Sequence, residues 1–134
     1  MAADVRSERG KALLKSLYST VGERVLDSVE SIAPDLRGYI TDFAFGDIYS
    51  RPGLDLRSRE IATIASLTTL GNSPRELRAH IHGALSAGCS REEIIEVIIQ
   101  MAVYAGFPAA LNGLFAAKEI FALRATHRGE TTGS

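Results

Sequence analysis

The sequence predicts an all-α fold: a single-domain helical bundle of six to seven helices over residues 1–134. Three observations carry that expectation. Apolar positions recur at helical spacing along nearly the whole chain. No stretch alternates convincingly with the period of a strand, and no hairpin signal joins two such stretches. Capping residues, prolines and glycines punctuate the pattern at short intervals, leaving brief connections.

Taken in order, two amphipathic helices are expected at 5–18 and 23–33, separated near 20–22. Pro34 can occupy the first position of a third, which runs through Leu36, Tyr39, Ile40 and Phe43. The segment GDIYSRPGL, residues 46–54, breaks the pattern and is the longest expected loop. A fourth helix follows Asp55, a good N-cap, and stops at Gly71-Asn72. The fifth begins around Pro74 and ends at Gly88. Ser90-Arg91-Glu92-Glu93 spells a capping box, in which the serine takes an orphan backbone N–H while Glu93 reaches back. The sixth helix runs from there to about Tyr104, stopped by Gly106, and Pro108 opens a seventh reaching about Ala125. The polar remainder, about 126–134, is expected to fray.

The sixth helix is apolar over most of its circumference, with only Glu92, Glu96 and Gln100 forming a narrow polar stripe at i, i+4, i+8. Such a helix must be surrounded. Hydrophobic residues are 46% of the chain and mean hydropathy is +0.05. Alanine-rich helices raise that figure by themselves, but together with the sixth helix it favours apolar surface buried between subunits. Charge is balanced, 15 basic against 16 acidic residues. No cationic excess points to nucleic acid or to an anionic membrane. A single cysteine, Cys89, excludes an internal disulfide, and with a charged N-terminus and no long apolar run the chain reads as cytoplasmic.

Chemistry concentrates between Ser73 and Asn112. On the fifth helix Leu77, Ile81, Ala84, Leu85 and Gly88 form the core stripe, with His80 beside one edge and Glu76 one turn earlier on the same side. That side is bordered by the small Gly83 and Ala87. An imidazole made more basic by a carboxylate is suited to proton transfer, although an i,i+4 pair is equally a solvated surface feature. His82 falls at the other edge with Arg78, so the two histidines cannot reach a common point and no metal site is expected. On the fourth helix Glu60 lies inside the face marked by Ile61, Ile64, Leu67 and Thr68, with Arg57 on the same side. A carboxylate there is either neutralised by an internal ion pair with Arg57 or held in a pocket. Cys89 precedes a helix N-terminus but has no resolving partner, and Tyr104 reads as core or interface.

The run RPGLDLRSRE, the motif ELRAH at 76–80, the turn GCSREEI at 88–94 and YAGFPAA at 104–110 resemble the carboxymuconolactone decarboxylase family, part of the alkylhydroperoxidase D-like superfamily. The resemblance covers nearly the whole chain. It implies an all-helical homo-oligomer, trimer or hexamer, with active sites near subunit contacts, and a lyase that needs no cofactor. In the peroxidase branch a CxxC motif is followed four residues later by histidine. His80 matches that histidine, while Glu76 and Ser73 stand in the places of the two cysteines. Disulfide-based peroxide reduction is therefore not available. The same branch has a glutamate near the position of Glu60. Decarboxylases of the family often carry a tryptophan where Tyr49 stands, and Glu60 and His82 also depart from their pattern.

The resemblance thus implies Glu60, Glu76 and His80 as catalytic residues, with His80 as proton donor or oxyanion partner oriented by Glu76 and Glu60 as a second proton carrier. Arg57 would anchor a substrate carboxylate, with His82 and Tyr104 as further substrate contacts. The substrate would be a small carboxylate or an unsaturated carboxylated lactone. Two alternatives stand beside this: an antioxidant protein acting through Cys89, and a non-catalytic oligomeric scaffold.

Overall fold

The computed structural model describes residues 2–132, with side chains described over 5–126. Every regular element among them is helical. No helix of the described residues is long and apolar enough to cross a membrane. The chain divides into two compact units, residues 1–59 and 60–134.

The first unit contains α1 (Ala2–Glu30), broken at Ser19, whose φ of 50° no helix accommodates. This is the expected separation of two helices, placed one residue before the expected 20–22. The expectation for Pro34 is corrected: it lies in a turn, closed by Leu36 N–H on Ala33 O at 3.1 Å, and α2 (Leu36–Tyr39) begins two residues later. Beyond α2 the chain does not enter a loop at 46 but continues as a π-helical segment, Ile40–Ile48. Its wider turn shows in Tyr49 N–H donating to Ala44 O at 2.9 Å, an i→i+5 bond.

Gly10 and Gly46 face each other where α1 meets this segment, and Arg9 Nε donates to Gly46 O at 2.8 Å. Arg6 grips Asp47 through both carboxylate oxygens, 2.8 Å from Nε to each. Tyr18 and Phe45 pack edge to face with centroids 5.4 Å apart. Asp55 caps the helix that follows, accepting Ser58 N–H at 2.7 Å. That backbone hydrogen bond holds its carboxyl below the usual carboxylate range. The helix is α3 (Leu56–Leu70), and the division between units falls within its first turn.

The second unit holds the rest of α3 with α4 (Pro74–Ser86), α5 (Arg91–Ala105) and α6 (Phe107–Thr132). Short connections join them. Gly71 and Gly106 supply the left-handed φ of 75° and 91° that the ends of α3 and α5 require. The capping box is present: Glu93 N–H donates to Ser90 Oγ at 3.1 Å and Ser90 N–H to Glu93 Oε1 at 2.9 Å. The core gathers around Ile64, Leu77, Ile81, Ile94, Ile98 and Ile120. Helix α6 runs past Ala125 to Thr132, over residues where the sequence offers no apolar stripe to predict a helix.

Helix α5 is not surrounded within its own chain. Ile94 and Ile98 are buried, but Val103 is 78% exposed. Tyr104, Phe107, Leu111 and Phe115 are exposed beside it, the last three at i, i+4, i+8 along α6.

Candidate active site

Helical spacing puts Glu60, Ile64 and Thr68 on one stripe of α3, and all three are fully buried. On α4 the buried stripe is Leu77, Ile81 and Ala84, with His80 half-buried at its edge and Gly83 buried one turn on. The α3–α4 hairpin folds one stripe over the other. His80 Nδ1 lies 3.0 Å from Glu60 Oε2, with the glutamate side chain 0% and the histidine 20% exposed.

A carboxylate has no proton to give, so an ionised Glu60 would accept from Nδ1–H. That choice of tautomer leaves Nε2 as the basic ring nitrogen. A carboxylate removed from water is costly unless hydrogen-bonded, and the bond also fixes the ring plane. The pair can therefore hold a proton, hand it over at Nε2, and stabilise the imidazolium between transfers.

The other candidate residues are placed as follows. Glu76 is exposed in the first turn of α4, and the carboxylate bonded to Nδ1 is that of Glu60. Helical spacing located Glu76 on His80's side of α4 and Glu60 in the buried face of α3, and only tertiary packing brings the buried residue to the ring in place of the surface neighbour. His82 Nδ1 meets Arg124 of α6 at 3.3 Å, so the two histidines do serve different surroundings. Among the described residues no group of three or more His, Cys, Asp or Glu side chains could hold a metal ion. Arg57 is half-buried in the first turn of α3, described with the first unit. Tyr104 is exposed at the end of α5, and Ser73 is the N-cap of α4.

Cys89 is 4% exposed and belongs to the apolar core. Any peroxide consumption by the wild type is expected to persist in Cys89→Ser, at a stability cost of about 1–3 kcal/mol for placing a hydroxyl there. A peroxide assay beside a urea melt checks both. Loss of peroxide consumption in the variant would restore the thiol reading.

The model of the carboxymuconolactone decarboxylase family matches residues 34–119. A "4-carboxymuconolactone decarboxylase" from Acinetobacter baylyi is 36% identical over 118 residues, covering 85% of this chain and 87% of that protein. An uncharacterized 15.0 kDa protein from Paracoccus denitrificans is 28% identical over 116 residues, covering 86% and 87%. A "nitrosuccinic acid decarboxylase" from Metarhizium robertsii is 34% identical over 76 residues, 56% of this chain and 52% of that protein.

Proposed function

The chain belongs to the carboxymuconolactone decarboxylase family, and from that premise we propose that it is a cofactor-independent carboxy-lyase acting on a small unsaturated lactone or related carboxylic acid. The observation that carries the reading is the buried Glu60 carboxylate hydrogen-bonded to His80 Nδ1. Two relatives named for the loss of carbon dioxide from a small acid support the same class.

Cleavage of the carbon–carboxylate bond leaves its electron pair on the substrate. In a carboxylated lactone that pair spreads onto the lactone carbonyl as a dienolate, so the substrate is its own electron sink. One proton, delivered to carbon, completes the reaction, and solvent restores it to the enzyme. His80 is assigned the delivery from Nε2, or a hydrogen bond to the developing oxyanion. Glu60 positions the ring and balances its positive charge. Arg57 is the proposed anchor for a substrate carboxylate, with Tyr104 and His82 as further substrate contacts and Glu76 as an outer acid–base group. Incubation with 4-carboxymuconolactone, following ring absorbance and released carbon dioxide together, tests the reading. If neither this lactone nor nitrosuccinate loses carbon dioxide, the lyase assignment is wrong.

The apolar face of α5 and α6 supports assembly as a homo-oligomer, trimer or hexamer, since exposed patches of this kind mark interaction sites. Light scattering on the wild type is expected to give a multiple of the 14.4 kDa chain mass. Phe107→Glu, placing a charge in that face, is expected to give monomer. A monomeric wild type at tens of micromolar would rule the assembly out.

A further inference from the structure

A second polar feature lies on the buried stripe that carries Glu60. Thr68, two turns on and about 12 Å along the helix axis, is 1% exposed, and its Oγ1 has no hydrogen-bond partner. Valine would occupy the same volume without leaving a hydroxyl unpaired. Thr68 packs against Gly113 of α6, where an added Cβ would come within 3.1 Å of its methyl and 3.3 Å of its hydroxyl. Beside this contact is a cavity of about 330 Å³, with Thr68, Ser73, Arg78 and Asn112 among its polar lining and Leu77 and Phe115 among its apolar lining. That is at the lower end of the roughly 300–1,000 Å³ of small-molecule sites.

The first turn of α4 forms one side of the cavity, and it lacks a side-chain cap. Ser73 holds the N-cap position, but its hydroxyl donates to Asn72 Oδ1 at 3.1 Å instead. Pro74, at the first helical position, contributes no N–H. The positive end of a helix dipole and the Arg78 guanidinium thus meet at an opening with an apolar wall. Arg78 is shared with Glu119 at 3.6 Å.

We infer that this cavity is a second binding site, separate from the Glu60–His80 pair, for a short-chain organic monocarboxylate. The carboxylate lies toward the first turn of α4 and Arg78, the carbon chain against Leu67 and Leu77, and the Thr68 hydroxyl gains the partner it lacks. The inference does not depend on the lyase reading.

Titration of the full chain with butyrate, followed by amide NMR shifts, tests it, with butyramide as the uncharged counterpart. Saturable shifts are expected at Thr68, Ser73, Arg78 and Asn112, which line the cavity, with butyrate and not with butyramide. Arg78→Gln is expected to weaken butyrate about tenfold, the loss of one charge-assisted contact. Glu119→Gln, which removes the competing carboxylate, is expected to tighten it. Thr68→Val is expected to keep or raise thermal stability in the absence of butyrate while weakening its binding. His80→Ala is expected to bind as the wild type does. The inference is overturned if the shifts do not saturate, if butyramide matches butyrate, or if Thr68→Val leaves affinity unchanged. It is equally overturned if His80→Ala abolishes the shifts, which would place butyrate at the catalytic pair. Shifts that follow protein concentration instead of butyrate would mean that a second copy of the chain fills the cavity, and would overturn it as well.

Discussion

His80→Ala is expected to lower decarboxylation of the carboxylated lactone by a factor of about 10²–10⁴, the usual worth of a positioned proton donor. The loss should fall on kcat with KM little changed, because proton delivery belongs to the transition state and not to substrate binding. Stability is the confounding variable. Breaking a fully sequestered ion pair costs about 3–5 kcal/mol, but the His80 side chain is 20% exposed and alanine opens room for water beside Glu60. A cost nearer 1–3 kcal/mol is therefore expected, and a thermal melt run beside the kinetics separates the two effects. Glu60→Gln is the sharper companion. Its side-chain carbonyl still accepts Nδ1–H, so the ring stays in place, but the negative charge that balances an imidazolium is gone. It should fold normally and lose kcat about tenfold or more. Full turnover in both variants would remove the pair from the mechanism.

That pair shows how far the sequence could be read. Glu60 stands out because a charge falls inside an otherwise apolar helical face, and His80 because it borders the core stripe of the next helix. Both signals are local periodicities, and both are borne out in where the residues lie. The bond between them is not local. Helical spacing offered His80 a carboxylate at i−4, Glu76, and that neighbour is exposed. The actual partner is twenty positions away, on the other side of the turn at Gly71. Punctuation of the helices was legible for the same reason that the stripes were: caps and left-handed glycines act within four residues. The capping box at Ser90 and the break near Ser19 are of this kind. The π-helical turn at Ile40–Ile48 is not, because its wider hydrogen bonding carries no residue signature separate from an ordinary helix followed by a loop.

Nor could the sequence reveal what Gly10 does, although it is expected to be among the least replaceable residues in the chain. A Cβ at position 10 would lie 2.0 Å from Thr41 O and 2.9 Å from Thr41 C. Both are backbone atoms, and a Cβ is itself fixed to the backbone, so no rotamer change relieves the collision. Only separating α1 from the π-helical segment does. Gly46 meets the same crossing from the other side, its added Cβ 2.7 Å from Arg6 O. The Arg6–Asp47 pair beside it is partly solvated, and such pairs contribute too little to hold the helices against the clash. Alanine at a helical position recovers about 0.5–1 kcal/mol of backbone entropy, whereas overpacking of this kind costs about 3 kcal/mol or more. Gly10→Ala should thus destabilise by about 2–3 kcal/mol net in a urea titration. Gly38→Ala supplies the opposite sign: nothing lies within 4 Å of its added Cβ, so the entropy gain stands unopposed and stability should hold or rise. If the two substitutions instead proved equal in effect, the close crossing of α1 and the π-helical segment would be wrong, because they share the same propensity gain and differ only in what the new methyl group meets.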